Sequence, residues 1–215
     1  MKKYKYIAFD LDGTLTDPQA GLTSGFAYAL TKMGLPFEDK KSLCRFIGPP
    51  LKAELAKVYN LDEADAEECV RLFREYFSVY GWWDNRLYDG IPEMLEELKL
   101  DGKIIMLATS KPEVYAKKIL RLFNIEKYFD FVGAATLDHT RVEKTAILEY
   151  ALSSVGAEKE YSILVGDRKF DAEGARGAAI DSIGVLWGYG TKLEIESSSF
   201  TYTVKSVSDI VKILI

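Results

Sequence analysis

The sequence of 215 residues predicts an α/β fold, a doubly wound parallel sheet into which an α-helical domain is inserted. Short apolar runs rich in β-branched residues alternate with amphipathic stretches, a pattern typical of parallel strands connected by helices. Acidic residues directly follow two of the apolar runs, and the interval 18–87 contains no good strand run. These three observations predict both the fold class and the place of the insertion.

The elements of the sheet domain follow in chain order. Apolar runs predict strands at residues 4–9, 103–108, 131–133, 162–165 and 182–186. Amphipathic stretches between them predict helices at residues 91–100, 113–123, 144–155 and 171–179. We therefore predict that residues 1–17 and 88–215 form a Rossmann-like core.

The interval 18–87 is predicted to be an inserted helical subdomain. Its helical stretches cover residues 20–33, 51–59 and 64–80, and Gly34-Leu35-Pro36, Gly48-Pro49-Pro50 and Gly81 separate or end them. Glycine and proline clusters of this kind mark turns between elements. The chain is expected to leave the core near Asp17-Pro18 and to return near Tyr88-Asp89-Gly90.

Composition narrows the class of protein. Hydrophobic residues make up 48% of the chain, enough for a sizeable core. The net charge of −5 argues against a general nucleic-acid binder, and no apolar stretch approaches the roughly 20 residues of a membrane span. The first apolar run is too short for a signal peptide, and Cys44 and Cys69 are interpreted as reduced thiols, so a cytoplasmic protein is expected. His139, the only histidine, is predicted to be a loop residue and excludes a histidine-rich metal site.

Two strand ends carry acidic residues. In IAFDLDGTL, Asp10 ends the first predicted strand and Asp12 follows in a turn, whereas Asp167 ends a later strand and Asp171 lies four residues beyond it. Ligands of open α/β sheets bind beyond the carboxyl ends of the strands. Carboxylates repel phosphate unless a cation lies between them, and Mg²⁺ is bound by a few carboxylates with waters and substrate phosphate. The same acids also suit turns and helix N-termini, and both roles can coexist.

Two further strand ends suit a phosphate site. The Thr109 hydroxyl and the Ser110 N–H group follow one strand and can hold phosphoryl oxygens, and Lys144 follows the next and can neutralise their charge. Two plainer interpretations stay open, because Thr109 can also N-cap the following helix and Lys144 can be a solvated lysine that opens a helix.

The four motifs in this order resemble those of the haloacid dehalogenase superfamily of phosphotransferases: DxDGT, a Thr/Ser strand end, a lysine and GDxxxD. The insert resembles the small helical cap of the subgroup that includes phosphoglycolate phosphatases and β-phosphoglucomutases. Within it, the FIGPPL stretch at residues 46–51 resembles the phosphoglycolate-phosphatase-like members, and Arg45 and Phe46 are candidates for substrate specificity.

The resemblance implies roles for the two acids of the first motif. Asp10 would be the nucleophile and a metal ligand, forming an aspartyl-phosphate intermediate. Asp12 would be the general acid for the leaving alcohol and then the base for water, and its backbone carbonyl would also ligate Mg²⁺.

The resemblance also implies roles for the later motifs. Thr109 and Ser110 would hold the phosphoryl group, and Lys144 would balance its charge. Asp167 would bind the metal, and Asp171 would support it directly or through another ligand. Gly188-Tyr189-Gly190 is predicted to be a loop after the fifth strand and is assigned no chemistry.

The motifs together with this resemblance imply a Mg²⁺-dependent phosphohydrolase acting on a small phosphorylated metabolite, foremost 2-phosphoglycolate-like compounds or nucleoside monophosphates. A pyrophosphatase and a β-phosphoglucomutase are the enzymatic alternatives. A phospho-acceptor signalling module is an alternative of another class, although such a module needs neither the cap nor a leaving-group acid at Asp12.

Overall fold

A parallel sheet forms the centre of the first of two structural units. The computed structural model describes residues 4–138 and 140–215, so His139 lies outside the described residues. Within them, six strands form one parallel sheet: β1 (Tyr6–Phe9), β4 (Ile104–Pro112), β5 (Phe131–Ala135), β6 (Ser162–Gly166), β7 (Asp181–Val185) and β8 (Tyr202–Val204). Their order in the sheet is β5-β4-β1-β6-β7-β8. Separately, β2 (Thr16–Asp17) pairs with β3 (Arg86–Leu87).

Helices of the same unit connect the strands and cover the sheet. They are α4 (Ile91–Leu100), α5 (Glu113–Leu122), α6 (Lys144–Ser154), α7 (Lys169–Gly177), α8 (Lys192–Ser197) and α9 (Val207–Leu214). Strands alternating with helices in a parallel sheet confirm the predicted α/β class.

Strand β1 lies at the centre of the sheet, between β4 and β6. Its residues Ile7, Ala8 and Phe9 are fully buried, because successive side chains point to opposite faces and helices cover both faces of such a sheet. Ala8 packs in a cluster with Met106, Ile147 and other apolar residues. The N–H group of Asp10 donates to the Val165 carbonyl at 2.9 Å, so the ladder continues to the first acid.

The last part of this unit was not predicted from the sequence. Strand β8 extends the sheet beyond the fifth predicted strand, and α8 and α9 flank it in the chain. Strand β4 runs to Pro112 instead of residue 108, with a shift of register against β5 between Thr109 and Pro112. That irregularity lies where the phosphate-binding residues are predicted.

The second unit, Pro18–Arg86, is helical. It contains α1 (Gln19–Lys32), α2 (Leu51–Tyr59) and α3 (Glu63–Tyr76), with a 3₁₀ turn at Ser42–Phe46 and a π-helical turn at Phe77–Gly81. In the core of this unit the rings of Phe26, Phe73 and Phe77 are stacked. Asp62 caps α3 by accepting a hydrogen bond from the Asp65 N–H group. Neither Cys44 nor Cys69 forms a disulfide.

The chain passes between the units after Asp17 and after Arg86. The sequence placed the second boundary after residue 87, and the role of the helical unit as a cap stays a prediction. Of the helices that the structure describes, none combines the length and the apolar character needed to cross a membrane.

Candidate active site

Three carboxylates from two neighbouring strand ends meet in the first unit. Asp10 directly follows β1, Asp167 directly follows β6, and Asp171 lies in the first turn of α7. One oxygen of each lies within 4.8 Å of those of the other two, and all three residues are buried. Because β1 and β6 are paired in parallel, their carboxyl ends share one edge of the sheet, which brings the two motifs together.

Lys144 is the cation of this carboxylate cluster. It is the first residue of α6, and its side chain is buried rather than solvated. Its Nζ lies 2.9 Å from Asp10 Oδ1 and 2.7 Å from Asp171 Oδ1, and it donates to the Ala108 carbonyl at 2.8 Å. Burial alone would lower the pKa of Lys144, but the charges of Asp10 and Asp171 outweigh it and raise that pKa, so Lys144 is charged.

Asp167 is held at both carboxylate oxygens. Its Oδ1 accepts a hydrogen bond of 3.2 Å from the Thr14 hydroxyl, and its Oδ2 accepts one of 2.8 Å from the Tyr189 N–H group. Gly13 lies against this carboxylate with a φ of +86°, and a Cβ there would overlap Asp167. Burial, followed by repulsion from Asp171 and Asp10, raises the pKa of Asp167 well above its usual range.

Asp171 caps a helix, as the sequence suggested, and its support of a metal stays a prediction. Its Oδ2 accepts from the N–H groups of Asp167 and Arg168, at 3.1 and 3.0 Å, and so caps the start of α7. Its Oδ1 faces Lys144 within the carboxylate cluster. Burial is the largest cause that raises the pKa of Asp171, although Lys144 partly opposes it.

Asp12 is paired with a lysine that sequence reasoning missed. Lys111 Nζ lies 2.5 Å from Asp12 Oδ2, and the Lys111 side chain is only 4% exposed. Asp12 Oδ1 is also buried but accepts no hydrogen bond from any described residue. One oxygen is therefore held while the other remains available to a ligand. The sequence signal for Lys111 was its position directly after Thr109 and Ser110.

The predicted phosphate-binding residues lie at the end of β4. Thr109 is buried, and its Oγ1 accepts from the Lys111 N–H group at 3.2 Å rather than capping α5, whose N-cap residue is Pro112. Because its oxygen accepts this bond, the Thr109 hydroxyl can donate its proton elsewhere. Ser110 is exposed.

The two candidate specificity residues lie in the helical unit. Phe46 is buried and packs against the rings of Phe26 and Tyr59, so it is part of the core of that unit. Arg45 is exposed, with its guanidinium carbon 5.9 Å from the centre of the Phe46 ring. Their role in specificity stays a prediction.

The donor set of the carboxylate cluster fits a hard divalent cation. It offers oxygen ligands alone, and Lys144 lies against two of its three acids, Asp10 and Asp171. Carboxylate oxygens are the ligands that Mg²⁺ prefers, and an unpaired buried charge is costly. The excess negative charge of the buried acids is therefore a physical reason for a cation here.

A match to a family profile identifies the family of the chain. The sequence profile described as haloacid dehalogenase-like hydrolase matches residues 7–185, which include all four motifs. The chain belongs to this family. Membership confirms the predicted superfamily and an enzyme of the hydrolase class, and it favours the enzymatic interpretation over the signalling module.

Similar proteins carry names of phosphoryl-group enzymes. The chain is 40% identical to a 5'-nucleotidase from Pseudomonas aeruginosa over 93% of its own length and 90% of the relative. It is 38% identical to the tyrosine-protein kinase PtkA from Mycobacterium tuberculosis, over 91% and 66%. It is 32% identical to a phosphoglycolate phosphatase from Aquifex aeolicus, over 98% and 96%. The crystal structure of a predicted phosphatase from Clostridium acetobutylicum superposes with a TM-score of 0.95 at 39% identity, covering 99% and 98%.

Proposed function

We propose that this protein is a Mg²⁺-dependent phosphohydrolase that removes phosphate from a small phosphorylated metabolite through an aspartyl-phosphate at Asp10. The observation that carries the proposal is the buried cluster of Asp10, Asp167 and Asp171 at the carboxyl edge of the sheet, with Lys144 against Asp10 and Asp171. Ligands of open α/β sheets bind at this edge.

The acids divide into a nucleophile and metal ligands. The backbone of Asp10 is held by the ladder hydrogen bond to Val165 and its Oδ1 lies against Lys144, which together position the carboxylate for attack on phosphorus. Asp10, Asp167 and Asp171, with the backbone carbonyl of Asp12, would hold Mg²⁺. When bound, the ion would supply positive charge to the phosphoryl group and so offset repulsion by the carboxylates.

The first step transfers the phosphoryl group to the protein. An oxygen of Asp10 forms a bond to phosphorus while the bond from phosphorus to the leaving oxygen breaks, and Asp12 donates its proton to that oxygen. Thr109 and the Ser110 N–H group hold phosphoryl oxygens, and Lys144 balances their charge. Asp12 Oδ1, which accepts no hydrogen bond from the described residues, is the atom available for this proton transfer.

The second step releases phosphate. Asp12, now a carboxylate, accepts a proton from water, and the water oxygen bonds to phosphorus while the bond to Asp10 breaks. Lys111 stabilises the carboxylate form of Asp12, whose pKa is raised by burial and lowered again in part by this lysine.

The names of similar proteins support two substrate classes. The 5'-nucleotidase is the more similar at 40% identity, so nucleoside monophosphates are the first class to test, and phosphoglycolate is the second. Phosphate release should be measured over a panel of 2-phosphoglycolate, nucleoside monophosphates, pyrophosphate, β-glucose 1-phosphate and a phosphotyrosine peptide, with Mg²⁺ and with a chelator.

We expect one of the first two classes to give the highest kcat/KM and the chelator to remove the activity. Full activity in chelator would contradict the proposal. Pyrophosphate as the best substrate would establish the pyrophosphatase instead. Isomerisation of glucose 1-phosphate without phosphate release would establish the mutase.

Replacing Lys111 with methionine should impair the second step more than the first. Without the lysine, the pKa of Asp12 rises further, so less of it is the carboxylate that activates water. We expect kcat to fall about 10- to 100-fold and alcohol to be released in a burst that precedes steady turnover. Rapid-quench kinetics with p-nitrophenyl phosphate measures both.

The matched control is Lys117→Met, which removes a half-exposed lysine paired with Glu113 on α5. Exposed pairs contribute little, so this variant should keep the kinetics of the unmodified enzyme. If both variants had equal kcat and no burst, Lys111 would have no part in the reaction.

A further inference from the structure

The loop that follows β7, residues 186–190, lies against the metal-binding side of the first unit. The sequence assigned no chemistry to its Gly188-Tyr189-Gly190 stretch. In the structure, a Cβ on Gly188 would overlap the Asp167 side chain and the Gly13 carbonyl. Only glycine permits so close an approach, which indicates that the loop is packed onto the metal-binding residue rather than merely near it.

Direct hydrogen bonds fix the loop to the motif residues. The Tyr189 N–H group donates to Asp167 Oδ2, and Trp187 Nε1 donates to the Thr14 carbonyl at 3.1 Å. Thr14 in turn donates from its hydroxyl to the other oxygen of Asp167. Both oxygens of the carboxylate thus depend on the loop, one directly and one through Thr14.

The side chain of Tyr189 anchors the loop at a second point. Its hydroxyl donates a hydrogen bond to Asp17 Oδ1, and Asp17 is a buried residue, the last one before the chain enters the helical unit. Burial, followed by this hydrogen bond to a carboxylate, raises the pKa of Tyr189, so the hydroxyl keeps its proton. A buried carboxylate and a protonated phenol form a strong, charge-assisted hydrogen bond.

We propose that Tyr189 is a positioning residue, whose hydroxyl, held by Asp17, keeps its own backbone N–H group on Asp167 and so sets the orientation of that carboxylate for the cation. The inference rests on the proposed metal-dependent function. Partners behind metal ligands typically change metal affinity 10- to 100-fold when they are removed. The Tyr189 hydroxyl acts on Asp167 indirectly, through the backbone N–H group of the same residue. A smaller effect of about threefold to tenfold on metal affinity is therefore expected.

The test compares Tyr189→Phe with Tyr4→Phe. Each variant loses one phenolic hydroxyl group that donates to a carboxylate of the same unit. The Tyr4 hydroxyl donates to Asp181 Oδ2 at 2.7 Å. Tyr4 and Asp181 precede or begin their strands, so this pair lies at the amino edge of the sheet, opposite the carboxylate cluster. Mg²⁺ binding is measured by calorimetry without substrate, unfolding by thermal melting, and kcat and KM with p-nitrophenyl phosphate.

Tyr189→Phe should weaken Mg²⁺ binding about threefold to tenfold and lower kcat at low Mg²⁺, with recovery at high Mg²⁺. Tyr4→Phe should lose stability but bind Mg²⁺ as the unmodified protein does. Equal Mg²⁺ affinity in all three proteins would overturn the proposal. If the unmodified protein bound no Mg²⁺, the proposed function itself would fail, a result distinct from a failure of Tyr189 alone.

A second variant keeps the test valid if Tyr189→Phe folds poorly. Asp17→Ala removes the other partner of the same hydrogen bond and should weaken Mg²⁺ binding to a similar extent. In the double variant the two losses should not add, because residues that act through one contact are coupled. Additive losses would show that Asp17 and Tyr189 act independently and would also overturn the proposal.

Discussion

Asparagine in place of Asp10 should abolish turnover, with kcat lowered by at least about a thousandfold. An amide oxygen is a poor nucleophile toward phosphorus and a poor ligand for Mg²⁺. The variant should nevertheless fold, since asparagine has nearly the same shape and Asp10 is held through its backbone N–H group. Steady-state phosphate release measures the loss, and thermal melting establishes that the fold is intact.

The covalent route requires a second experiment, because water attacks phosphorus on either route and labels the released phosphate alike. Asp12→Asn should slow hydrolysis of the intermediate and allow it to be trapped. Borohydride reduces an acyl phosphate to the alcohol, so peptide mass analysis should find homoserine at position 10. Reduction at another acid, or substantial turnover in Asp10→Asn, would refute the nucleophile assignment.

The two strand ends that carry acids, at Asp10 and Asp167, were predictable because each is visible in the local sequence. An apolar run followed by an acid predicts a strand end, and parallel pairing predicts that such ends share an edge. Asp10, Asp167 and Asp171 therefore came together as the motifs implied. The helical interval was equally visible, because its helices carry glycine and proline at their ends.

Long-range pairs were not predictable in this way. Lys111 and Asp12 are 99 residues apart, and Tyr189 and Asp17 are 172 apart. A lysine after a strand end and a tyrosine between two glycines are both ordinary loop residues in isolation. Only the fold turns them into partners of buried acids, so only the structure gives them roles.

Strand β8 and helix α9, which were not predicted, differ in the strength of their sequence signals. Strand β8 has three residues among serines and threonines, which gives little apolar pattern. Helix α9 carries Val207, Ile210, Val211 and Leu214 at helical spacing, a signal that periodicity analysis can detect. Its Ile210 and Leu214 are buried, as that spacing requires.

Asp167→Asn should have opposite effects on activity and on the stability of the metal-free protein. The side chain would keep one acceptor oxygen but lose its charge, so we expect activity at a fixed Mg²⁺ concentration to fall by about 100-fold. Stabilisation of the fold by Mg²⁺ should also be lost, because a ligand stabilises only the state that binds it. Activity assays and melting curves with increasing Mg²⁺ measure both effects.

We expect Asp167→Asn to raise the stability of the metal-free protein, because the pKa of Asp167 is raised in the folded state. A carboxyl group whose pKa is higher in the folded state stabilises the fold while it is protonated, and that contribution is lost as the pH rises through the folded pKa. At neutral pH the charge of Asp167 therefore opposes folding, and asparagine removes it. Without Mg²⁺ the variant should melt higher than the unmodified protein at pH 7.5, and the difference should shrink as the pH falls and be lost below about pH 4, where the carboxyl group is protonated in both states.

Asp209→Asn is the matched control at a surface helix start. The Lys212 and Ser206 side chains lower the pKa of Asp209 to about 2, the opposite shift, so this variant should lose stability at neutral pH and keep its response to Mg²⁺.

Ca²⁺ should raise the melting temperature of the unmodified protein yet inhibit it, because its larger, looser shell would misplace Asp10 for attack.

A metal-free Asp167→Asn that melted lower than the unmodified protein at pH 7.5 would mean that the hydrogen bonds from Thr14 and Tyr189 outweigh repulsion among the acids.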